Sequence, residues 1–185
     1  MIAVLIAIGV IGLVLVLWFA AAYNGLVRVR QEVKSAWSQI DVQLKRRHDL
    51  IPNLVEAVKG YLSHERQTLE SVIRARQQAV DASGLADKAQ AENLLTQTLR
   101  SLFAVVERYP DLKANQNIMA LQEELTSTEN RISFARQFYN DQAMRLNTAV
   151  ESVPTNLVAG LGGFSKTEFF ELPDAAQREA PAVKF

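Results

Sequence analysis

The side chains best suited to move protons or hold a metal near neutral pH are His48 and His64, and neither stands in a spacing that does so. The residues three positions before them are Lys45 and Tyr61, so the Glu-x-x-His pattern by which helical bundles hold paired metal ions is missing. No His-Glu-x-x-His pair occurs either. His48 reads as part of a turn between helices, and His64 as a residue that hydrogen-bonds a neighbour. Glu123, Glu124 and Glu129 resemble paired carboxylates for acid–base work, but they flank an apolar seam. There they read as a solvated helix face, or as partners for Arg131 and Arg136. Gly160-Leu161-Gly162-Gly163 lacks a phosphate-binding lysine and follows no strand pattern, which makes it a hinge. The chain has no cysteine, which excludes thiolate zinc sites, disulfides and cysteine nucleophiles. The expectation is therefore no catalytic residue, no metal site, no cofactor and no enzymatic activity.

The elements that carry these residues begin with an apolar run. From Met1 to Ala22 only Gly9 and Gly12 fall outside the apolar set, and every charged side chain lies after residue 27. As a helix, Ile2 to Ala22 covers about 31 Å, which matches a bilayer core of roughly 30 Å. No Lys or Arg precedes the run, as a cleaved signal peptide would require, so residues 1–23 read as a retained anchor. Trp18 and Tyr23 suit the aromatic belt at one interface. Residues 28 to 47 hold Arg28, Arg30, Lys34, Lys45, Arg46 and Arg47 against Glu32 and Asp41, a local net charge of +4. The positive-inside rule then places the N-terminus outside and the following domain in the cytoplasm, at a bacterial inner membrane. Arg28, Arg30 and Lys34 would meet anionic headgroups. Elsewhere 14 basic and 18 acidic groups leave −4, which argues against a nucleic-acid partner.

Beyond the anchor, apolar residues recur at steps of three and four, the period of one helix face. The first face reads Leu26, Val29, Val33, Trp37, Ile40 and Leu44. A break is expected at His48-Asp49, with Asp49 capping a second helix and Pro52 in its first turn, where proline is tolerated. That helix ends at Ser83-Gly84, a third ends before Tyr109-Pro110, and a fourth runs from about residue 115 to 152, with Asp111 or Asn115 as cap. The fourth carries a near-heptad, coiled-coil-like seam from Ile118 to Ala149, interrupted by Thr128 and Gln142. The fold class is all-α: a transmembrane helix, then a long antiparallel four-helix bundle over residues 24–153, then an apolar and aromatic segment with a tail over 154–185. Alternating helix directions bring that last segment back toward the bilayer, where Phe164, Phe169 and Phe170 are expected to touch headgroups or a neighbouring protomer, or else to pack across the bundle's end. Arg30, Arg46, Arg47 and Arg76 interrupt apolar faces. They form internal ion pairs or reach a neighbouring subunit, and Arg46, Arg47 and Arg76 are the candidate oligomer-interface residues.

Several ordered blocks resemble the LemA family of bacterial membrane-anchored helical proteins. They are Tyr23-Asn24-Gly25-Leu26-Val27, the stretch from Ala36-Trp37-Ser38-Gln39-Ile40 to Arg47, and Asp49-Leu50-Ile51-Pro52-Asn53-Leu54-Val55. Further on come Tyr109-Pro110-Asp111-Leu112-Lys113-Ala114-Asn115, Thr128-Glu129-Asn130-Arg131-Ile132, Tyr139-Asn140 and Gly163-Phe164. The resemblance implies a four-helix bundle behind one transmembrane helix with its N-terminus outside. It implies no established enzymatic activity, and one related branch is associated with forming intracellular membrane compartments. Gly162, where a bulky residue is expected before the glycine, departs from the pattern and predicts a looser turn. Two functions follow as expectations: a homo-oligomeric scaffold that organises or remodels the bilayer, or an adaptor that presents its bundle to a signalling or quality-control protein.

Overall fold

A computed structural model of the chain describes residues 1–62 and 65–170. In chain order it holds α1 (Ile2–Lys59), α2 (Arg66–Asp81), α3 (Leu85–Val106), α4 (Pro110–Lys113), α5 (Gln116–Glu151) and α6 (Thr155–Leu161). The fold is all-α, with no strand among the described residues. The helices form two compact units. The first comprises Met1–Asp41 with Phe134–Phe169, and the second comprises Val42–Ser133 with Phe170.

In the first unit the apolar run of α1 buries nothing against the other described residues, and its side chains are exposed along its length. Packing starts at its end. Leu26, with Ala22 and Val27 beside it, meets Val158, Ala159 and Phe164, joined by Ala149 and Val150 of α5. Farther along, Trp37 meets the Tyr139 ring edge-on at 5.7 Å between centroids. The second unit is a four-helix bundle of the remaining part of α1, α2, α3 and the first half of α5. Ile51, Leu54 and Val58 of α1 share one core with Val72 of α2, Leu95 and Leu102 of α3 and Ile118 and Leu125 of α5. Asn115 is the cap of α5: its Oδ1 accepts from the amides of Asn117 (3.0 Å) and Ile118 (3.4 Å).

The expected break at His48-Asp49 is absent. The helix runs on through Pro52 to Lys59, and the true interruption follows Gly60. Proline inside a helix has no N–H to give to the carbonyl four residues back, and its ring crowds that carbonyl, here His48. The structure supplies a substitute donor, because Nε of Arg76 on α2 donates to the His48 carbonyl at 2.7 Å. One bond from α2 thus allows α1 to keep its register, so that Arg47, Ile51, Leu54 and Val58 continue one buried seam. Arg76→Leu is expected to cost about 1.5–3 kcal/mol, the usual worth of a hydrogen bond to a charged group. With Pro52→Ala, whose restored amide can satisfy His48, the same change should cost well under half as much. A double-mutant cycle by urea unfolding checks this, and equal costs in both backgrounds would refute the pairing.

Candidate functional site

Two places bring the singled-out residues together, one in each unit. In the second unit a charge cluster lies inside the bundle. Arg47 of α1 is only 2% exposed and Glu92 of α3 is fully buried. Arg47 Nη1 stands 3.0 Å from Glu129 Oε2 and 3.4 Å from Glu92 Oε2, and Nη2 donates to Thr96 Oγ1 at 2.7 Å. The other Glu92 oxygen lies 2.7 Å from His48 Nε2, whose N–H donates to it. Thr96 Oγ1 in turn lies 3.1 Å from the Glu92 carbonyl and 3.3 Å from Glu129 Oε1, either of which can take its single proton. Burial lowers the Arg47 pKa, and the negative charges of Glu129 and then Glu92 oppose that fall. A cavity of about 250 Å³ opens beside the cluster, with Arg47, Thr96, Glu129 and Arg100 along its polar side and Leu99 and Phe103 on its apolar side. Its buried polar groups already bind one another, so the cluster ties α1, α3 and α5 together.

These contacts replace several expectations. His48 is buried within α1 and held by Glu92, rather than lying in a turn. Arg47 binds Glu129, Glu92 and Thr96 inside the bundle, Arg76 donates to the His48 carbonyl, and Arg46, still about half exposed, pairs with Glu124 of the same chain. The exposed Arg46–Glu124 pair contributes at most about 1 kcal/mol. Glu124 pairs with Arg46, and Glu129 with Arg47. Glu92 was not anticipated, although one signal pointed to it. It falls three residues before Leu95 and continues the seam of Leu95, Leu99 and Leu102 backward, a carboxylate on a core register. His64 lies outside the described residues.

The second place is the corner of the first unit where α1 passes the end of its apolar run. Phe164 is buried there, edge-on to Tyr23 at 5.5 Å between centroids, and the Arg30 guanidinium carbon sits 4.7 Å over its ring. Gly162 proves necessary rather than loosening. A Cβ at that position would lie 2.6 Å from Phe164 Cε2 and 3.1 Å from Tyr23 Cε2. Gly163 then takes φ of 66°, the left-handed conformation that glycine adopts without strain.

After Phe164 the chain turns back along α5. Asn147 holds Thr167 by two bonds, accepting from its amide at 2.8 Å and donating to its carbonyl at 2.9 Å, and the Tyr139 hydroxyl donates to the Glu168 carbonyl at 3.1 Å. Burial, with Glu168 adding to it, raises the Tyr139 pKa. Tyr139 precedes the end of α5 by twelve residues, about 18 Å along the helix axis. The three phenylalanines expected at the bilayer therefore separate. Phe164 and Phe170 are buried in protein, and Phe169 is 41% exposed. Trp18, Tyr23, Arg28 and Lys34 remain exposed on α1, with Arg30 half-buried over Phe164.

Fold and corner together define a membrane-anchored helical protein: one apolar helix long enough to cross a bilayer, then packed helices. The chain belongs to the LemA family, whose pattern it matches over residues 36–185. It is 24% identical to magnetosome protein MamQ of Magnetospirillum gryphiswaldense, over 90% of this chain and 71% of that protein. It is 25% identical to magnetosome protein MamQ 2 of Paramagnetospirillum magneticum, over 80% of this chain and 64% of that one. Protein LemA of Metamycoplasma hominis is 29% identical over 74% of this chain and 63% of its own length. The chain thus spans less than two thirds of the latter two relatives.

Proposed function

We propose that the protein is a homo-oligomeric scaffold, tethered to a bacterial inner membrane by α1 with its bundle on the cytoplasmic side, that organises or remodels that membrane without a catalytic step. The observation that carries this reading is an exposed aromatic pair on α5. Phe134 and Phe138 stand one helical turn apart in the first unit, and both are exposed. Apolar side chains clustered on a helix surface mark contact sites, and an anchored protein has copies of itself beside it in the membrane plane. The relatives named as magnetosome proteins accord with the compartment-forming role that the family resemblance implies for one branch.

Extraction of the full chain into lipid nanodiscs followed by mass measurement tests the proposal. A discrete homo-oligomer that falls to monomers on Phe134→Ser with Phe138→Ser is the expected result. A monomer that co-purifies with one other protein would replace the scaffold by an adaptor. Digestion of the bundle by protease added outside spheroplasts would overturn the cytoplasmic placement.

A further inference from the structure

The inner face of α6 rests on the end of the apolar run: Val158 and Ala159 share a cluster with Leu26, with Ala22 and Val27 packed against it. This places α6 within about one helical turn of the point where α1 leaves a bilayer roughly 30 Å thick. The residues on its other side are Leu157 and Leu161, one turn apart and 66% and 81% exposed, preceded by Val153 in the entering turn at 81%. From Ser152 to Ser165 there is no charged side chain, and the charged residues that bracket this stretch, Glu151 and Lys166, pair with each other. An uncharged segment with three large apolar side chains turned outward is poorly suited to water, and at this height the adjoining medium is the headgroup layer.

We propose that Val153, Leu157 and Leu161 insert into the headgroup and upper acyl region of the bilayer that α1 crosses, so that α6 is an interfacial foot beside the anchor. The occupant of this face is lipid rather than a second copy, because the packing of Val158 and Ala159 on Leu26 fixes α6 at the end of the apolar run, and the stretch from Ser152 to Ser165 carries no charged side chain. The inference rests on α1 as a membrane anchor and does not depend on the scaffold reading. Arg28, exposed one residue beyond Val27, stands where it can meet lipid phosphates.

The chain has no native cysteine, so single nitroxide labels can be placed without removing anything. The variants Leu157→Cys and Leu161→Cys are labelled in the full chain, in vesicles of phosphatidylcholine and phosphatidylglycerol. Leu13→Cys in the apolar run and Gln97→Cys on α3 serve as lipid and water references. The expected result is that labels at 157 and 161 lose most of their collisions with a water-soluble nickel chelate relative to Gln97, while colliding readily with oxygen. Nickel access equal to that at Gln97 would overturn the foot while leaving the anchor intact. Shielding from both nickel and oxygen would overturn it in favour of a second copy covering α6. Nickel access at Leu13 as well would remove the anchor reading and the foot with it, whereas loss of homo-oligomers in nanodiscs would touch only the scaffold.

Discussion

Glu92→Leu should lower the unfolding free energy of the bundle by about 3–5 kcal/mol, the range for removing one partner of a buried ion pair. The cost comes from what is left behind. Arg47 keeps only its partly exposed partner Glu129 and the Thr96 hydroxyl, and His48 loses its acceptor inside the core. Replacing both charges, as Arg47→Met with Glu92→Leu, should recover most of the loss, because well-packed apolar side chains of similar volume often match a buried pair. Urea unfolding of the full chain in detergent micelles, followed by far-ultraviolet circular dichroism, measures both. If the single change costs under about 1 kcal/mol, the guanidinium has access to water and the buried cluster described above is wrong.

Phe164→Ala should open the corner where α6 meets α1. The ring fills the space between Tyr23, Arg30 and Gly162, and truncating a buried phenylalanine typically costs about 3–5 kcal/mol. Its clearest readout is amide exchange. The Gly162 amide donates to the Val158 carbonyl at 2.8 Å, and the Phe164 amide donates to that of Ala159 at 3.0 Å. Both should exchange roughly a hundredfold faster or more, since every 1.4 kcal/mol of local opening is a factor of ten. The amides of α3, in the other unit, serve as an internal reference and should be unaffected. Gly162→Ala should act in the same direction by pushing the ring out, since its Cβ has no room. Unchanged exchange in both variants would show that α6 is held by Val158 and Ala159 alone.

The sequence made the helical architecture legible because it rests on periodicity, and the periods are long. The apolar run, the seam from Ile118 and the stop before Pro154 each depend on residues close in the chain, and α5 begins and ends within one residue of expectation. At His48-Asp49 the local signals, Asp49 and then Pro52, point to a break, but the phase of the apolar seam overrides them. Leu44, Arg47, Ile51, Leu54 and Val58 keep that phase straight through the proline. Arg47 looked like an interruption of an apolar face because its partners, Glu92 and Glu129, lie 45 and 82 positions away, and which helices face each other is not written in any one of them. The same holds at the corner. Phe164, Phe169 and Phe170 have equal hydrophobicity, and what sets Phe164 apart is the space that Gly162 leaves for its ring beside Tyr23.

The bond from Arg76 to the His48 carbonyl links two helices at a point where one of them lacks an internal bond. An ordinary helix can complete itself as it emerges, each new amide closing a turn already made. At Pro52 that is impossible, and the missing bond is supplied by a residue 28 positions beyond His48. The stability of α1 around Pro52 is therefore tied to the docking of α2, although the two are separate in sequence.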